Sequence, residues 1–137
     1  MTDFFATGFL VSVDFSNFNT SELNDMHAMF YNSLYLKSIV WGDKFSTSKV
    51  TRMDLLFGNC FNLTTVNLTN FNTSKVTTFK NMFYDCISIK ELNVSSFDTS
   101  SATYFFQMFC HCNSLTSIDL SNFNTKCCNN AWYVHRL

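Results

Sequence analysis

Six cysteines and three histidines are the residues of this chain best suited to chemistry. Cys60, Cys86 and Cys112 recur at intervals of 26 residues, and Cys110-His111-Cys112 is the densest run of metal-ligand types. Alternate residues rarely converge on one ion and no second pair stands at zinc-site spacing, so the sequence predicts no metal and no other cofactor. The evenly spaced cysteines read as small buried thiols, with disulfides as the weaker alternative, because a bridge needs Cα atoms within about 7 Å and converging Cβ directions. His27, His111 and His135 stand in unrelated surroundings. No G-x-S-x-G or H-E-x-x-H occurs, and Gly8, Gly42 and Gly58 are too scattered for a phosphate loop. The expectation is a protein without enzymatic activity and without catalytic residues.

The elements that would carry these residues are set by a repeat. Phe18, Phe45, Phe71, Phe97 and Phe123 stand at spacings of 27, 26, 26 and 26, each inside a run such as "SNFNTS". With these phenylalanines as slot 0, Thr20, Thr47, Thr73, Thr99 and Thr125 occupy slot +2. Phe30, Phe57, Phe83 and Phe109 occupy slot +12, and Cys60, Cys86 and Cys112 slot +15, where the first unit has Ser33. Apolar slots +5, +8, +11, +12 and +15 are spaced as the inward stripe of a short helix, with the slot +2 and +3 hydroxyls ahead of it as N-caps. At slot +14, Asn32, Asn59 and Asp85 suit a left-handed residue ending that helix, and His111 suits it less. The rest of the unit alternates: "LTSIDLSNF" turns Leu115, Ile118, Leu120 and Phe123 inward and reads as a very short strand. Unit two carries one extra residue, placed around Gly42.

The predicted fold is therefore an α/β solenoid of leucine-rich-repeat-like coils, one short parallel strand and one short helix per 26-residue repeat. A parallel β-helix is the alternative. The whole chain, 1–137, reads as a single repeat domain. It has a partial repeat over 1–12, coils at about 13–38, 39–65, 66–91 and 92–117, a partial coil over 118–126 and an aberrant tail over 127–137. The slot 0 and slot +12 phenylalanines and the slot +15 cysteines form its expected core.

The unit "LxxφxφSNFNTSxVTxMxxMFxxC", over residues 4–126, resembles the BspA-like repeat of bacterial surface lipoproteins and wall-anchored proteins. The resemblance implies a leucine-rich-repeat-like solenoid displayed outside the cell, in a setting associated with adhesion, and it implies no catalytic residue.

Composition excludes other classes. The net charge of -1 provides no basic surface for a phosphate backbone, so nucleic acid is not an expected partner. The opening "MTDFFATGFLVSV" has no Lys or Arg beside Met1 and its apolar residues keep the repeat register, so it does not read as a signal peptide. No apolar run reaches the roughly 20 residues of a membrane span, and no membrane insertion is expected. Cell-surface or extracellular placement follows for the parent family only.

Both ends invite comment. Met1 falls mid-unit, and "CCNNAWYVHRL" leaves the pattern. One choice of codons, read one nucleotide later, restores Val, Met, Met-Phe and Cys at slots +5, +8, +11, +12 and +15, so the tail is expected to be frameshifted; the alternative is an irregular C-terminal cap with Trp132 and Tyr133 covering the last coil, and the encoding DNA decides between them. Unmatched apolar edges at the ends lead us to expect end-to-end association.

The candidate binding surface is the outward ladder of the strands: Asp14, Val40, Asn67, Asn93 and Asp119, flanked by Ser16, Thr69, Ser95 and Ser121. Solenoids present such ladders on a concave face, and small amides and hydroxyls suit a protein or glycan ligand. Retaining a soluble sheet face is the competing role. The expected function is a binding or adhesion module. The alternatives are a structural spacer, a hydrolase on the same scaffold, and a non-functional product of a disrupted gene.

Overall fold

In a computed structural model the described residues are 9–124. Gly8, Thr125, His135 and the tail 127–137, with Cys127, Cys128, Trp132 and Tyr133, lie outside them. Two strands, β1 (Ser12–Asp14) and β2 (Ser38–Val40), pair in parallel with Ser12 opposite Ser38, Val13 opposite Ile39 and Asp14 opposite Val40. The register is one repeat, and the alternation turns Val13 and Ile39 toward the core and leaves their neighbours exposed. A second set of parallel bridges joins Arg52, Thr78 and Tyr104, all at slot +7.

The helix expected at slots +5 to +15 is absent among the described residues. Non-glycine residues at slot +10 (Ala28, Leu55, Asn81, Gln107) and slot +14 (Asn32, Asn59, Asp85, His111) have φ between 52° and 62°, which no right-handed helix permits. The segment is a series of linked turns, with N–H groups bonding carbonyls three residues back: Val50 to Thr47, Leu56 to Met53, Gly58 to Leu55, Cys60 to Phe57. Intervening N–H groups cross to the next unit. Met53, Leu55, Phe57 and Asn59 donate to Thr78, Lys80, Met82 and Tyr84, and the same four slots donate at the junctions on either side. The cost of left-handed backbone, about 1–2 kcal/mol per non-glycine residue, is offset because that conformation directs these donors at the neighbouring carbonyls.

Slot +12 forms a column of rings: Phe30, Phe57, Phe83 and Phe109 stack at 5.6, 5.3 and 5.8 Å with planes within 18°. All four are buried, as are the slot +8 and +11 side chains and the apolar slot +18 residues Leu36, Leu63, Ile89 and Leu115. Truncating such a ring to alanine costs about 3–5 kcal/mol. Phe71, Phe97 and Phe123 are buried and Phe45 is partly so, but Phe18 is 53% exposed and does not belong to the core. Phe15, three residues earlier, takes the inward place, stacking on Trp41 at 5.6 Å, while Phe18 meets it edge-on.

The slot +2 threonines do not cap helices. Thr47 Oγ1 donates to the Asn72 carbonyl at 2.9 Å and accepts the Asn72 N–H at 2.8 Å, pinning one unit to the next; Thr20 does the same with Ser46. Thr47, Thr73 and Thr99 are buried, and removing the Thr47 hydroxyl strands two polar backbone groups. Thr47→Val is expected to lower unfolding free energy by about 1–3 kcal/mol in a urea titration. The exposed Thr65→Ala should cost about 0.5 kcal/mol or less, and equal losses would contradict the pinning role.

Candidate functional site

The strand-side ladder is built from a two-residue device. Asp14, Asn67, Asn93 and Asp119 each use Oδ1 to accept the backbone N–H two residues on, from Ser16 (2.7 Å), Thr69 (3.1 Å), Ser95 (3.0 Å) and Ser121 (2.9 Å). Thr69 and Ser95 add their hydroxyls to the same oxygens at 2.8 and 2.7 Å. These are Asx turns, at the end of β1 for Asp14 and in segments outside any strand for Asn67, Asn93 and Asp119, where the strand expected in each repeat is not formed; in those three units they turn the chain toward the buried ring of slot 0. The ladder is exposed throughout. Among the described residues the Nδ2 groups of Asn67 and Asn93 have no hydrogen-bond partner. The residues therefore hold the turn with one atom and present another outward.

Val40 interrupts the series. It offers no acceptor, is 52% exposed, and is followed by Trp41, whose Nε1 donates to the Asn67 carbonyl at 2.7 Å. Gly42 follows with φ +60°, and a Cβ there would lie 2.6 Å from Ser16 Cα, so glycine is required by both conformation and space. Cavities of about 480 and 450 Å³ open on this side, the first beside Val40 and Asp43, the second between Asn93 and Asp119.

The residues with chemical potential are otherwise committed. Cys60, Cys86 and Cys112 are free and buried, and their thiols donate to the carbonyls of Phe30, Phe57 and Phe83 at 3.3, 3.1 and 3.2 Å. Burial pushes Cys60 and Cys112 up to about 12 and Cys86 well above its usual range, so none is a ready thiolate. His111 is exposed and its Nδ1 lies 2.6 Å from Asp85 Oδ1, whereas Cys110 and Cys112 are buried, so the Cys-His-Cys run does not converge. Among the described residues no group of three His, Cys, Asp or Glu side chains could hold a metal.

A polar cluster that sequence reasoning missed lies at slots +7 and +9. His27 Nδ1 is 2.6 Å from Asp54 Oδ2, Arg52 forks onto both oxygens of Asp54 at 3.1 and 3.0 Å, and Asp25 lies 3.9 Å from Arg52. Asp54, buried to 8% exposure, is paired by Arg52 of its own unit and meets His27 across the junction. The 26-residue alignment already set His27 and Asp54 at the same slot, but only a stacked arrangement makes them neighbours. Among the described residues no helix is long and apolar enough to cross a membrane.

The turn carboxylates carry a pH signature. The Ser16 hydroxyl, then its backbone N–H, holds Asp14 below the ordinary 3.8; Ser100 acts likewise on Asp98; and the Ser121 N–H, then its hydroxyl, lowers Asp119. A carboxylate with a depressed folded value contributes stability that is present above its unfolded value and lost as pH falls through the folded one. The thermal midpoint is expected to drop as pH falls below about 4. Asp119→Asn, which keeps the acceptor, should shallow that drop, and an unchanged slope would contradict the assignment.

A family model described as "Mycoplasma protein of unknown function, DUF285" matches residues 1–41 and 35–135. No curated protein and no solved structure matches the chain.

Proposed function

The chain belongs to the family described as Mycoplasma protein of unknown function, DUF285, and on that premise we propose that it is a non-enzymatic binding module of a bacterial surface protein. Its architecture in this reading is a solenoid of stacked coils related to the BspA-like repeats, with turns in place of the helix, nearer a parallel β-helix than a leucine-rich repeat. The observation that carries the function is the ladder of Asn67 and Asn93, whose Oδ1 atoms fix the backbone while their Nδ2 groups stay outward and unpartnered among the described residues. A repeated outward donor at one-coil spacing fits an extended protein or glycan ligand. The absence of chemistry is supported by the commitment of the buried thiols to backbone carbonyls. Exposed Phe9, Val11 and Phe18 in the first described coil support end-to-end association as a secondary property.

Asn67→Asp with Asn93→Asp tests the reading, since aspartate keeps the turn acceptor and deletes the outward donor. Chain-coated beads should lose attachment to host or neighbouring cells by about tenfold while the thermal midpoint holds. Undiminished attachment, or none by the unaltered chain, would favour a structural spacer.

A further inference from the structure

The break in the ladder at coil two has no structural need that the other coils share. Coils one, three, four and five all place Asp or Asn where coil two has Val40. Trp41 is held between Phe15, 5.6 Å away, and the Asn67 carbonyl, and the tight turn at Gly42 sets Asp43 over the opening. The result is the cavity of about 480 Å³, whose lining includes Ile39, Val40, Asp43, Asn67 and Asn70.

Its chemistry is one-sided. Among the described residues the side chains of Asp43 and Asn70 have no hydrogen-bond or ionic partner, and no Lys or Arg lines the space. The second cavity is lined by Lys90 as well as by Glu91 and Asp119, so a cation already stands among its carboxylates. The first combines a carboxylate without an ionic partner, an amide and the exposed aliphatic side chain of Val40. A cationic head on a methylene stem satisfies all three at once, the stem against the aliphatic shelf and the head at the carboxylate. The outward Asn67 Nδ2 at the rim is a donor for a main-chain carbonyl. Resting on the strand-face reading above, we propose that this cavity receives a lysine or arginine side chain of an extended peptide from a partner protein.

The test is an amide NMR titration of the full chain with acetyl-Gly-Lys-Gly-amide and with its Nε-acetylated form. The expected result is saturable shifts at Val40, Gly42 and Asn70, weakened about tenfold by acetylation or by Asp43→Asn. Asp43 is exposed and its substitution should leave the thermal midpoint unchanged. No saturable shift, an equal response to the acetylated peptide, or an unaffected Asp43→Asn would overturn the proposal, as would saturation by a neutral hexose in place of the peptide. If the paired Asn67 and Asn93 substitutions abolish cell attachment while Asp43→Asn does not, the strand-face reading stands and this proposal falls.

Discussion

Backbone N–H groups at slots +8, +10, +12 and +14 reaching across to the next unit are the constraint to which the rest of the molecule conforms. They require left-handed residues at slots +10 and +14, and Asn, Asp and His at slot +14 are the side chains that tolerate that region best. Leu55 and Gln107 at slot +10 adopt it against their own preference, so the stacked carbonyls must impose it. Once the junctions close at one-coil spacing, the rings of slot +12 have no alternative to stacking, and the buried thiols fall opposite the carbonyls they bond.

The same constraint explains what the sequence made legible. The repeat length, the buried identity of slots +8, +11, +12 and +15, and the inward Leu and Val of the alternating segment are visible because burial leaves an apolar mark at every recurrence. The helix was a misreading with a physical source: linked turns bury every third residue, as at Thr47, Val50, Met53 and Leu56, and a spacing of three lies close to the 3.6 of a helix. Slot +10 had no signal, since Ala, Leu, Asn and Gln share no property that announces positive φ. Phe18 was placed in the core by its column, although Phe15 could fill the same space.

The candidate face was legible as a ladder, but its working parts were not. An Asn or Asp two residues before Ser or Thr looks in sequence like a polar surface, and only the bond distances identify the oxygen that builds the turn and, at Asn67 and Asn93, the nitrogen that takes no part in it. The cluster of His27, Arg52 and Asp54 was hidden for a related reason: Arg52 and Asp54 pair within one unit, and His27 reaches Asp54 only across a junction. Val40 to Asp43 departs from the repeat, with an aliphatic side chain in place of the turn acceptor and one extra residue beside Gly42.

The central claim is that hydrogen bonds at slots +8 to +14 run between units and not along them. Direct NMR couplings across hydrogen bonds measure this without inference from shape. The account predicts correlations from the amides of Leu55, Phe57 and Asn81 to the carbonyls of Lys80, Met82 and Phe106. Correlations from those amides to carbonyls four residues earlier in the chain, the helical pattern, would contradict it.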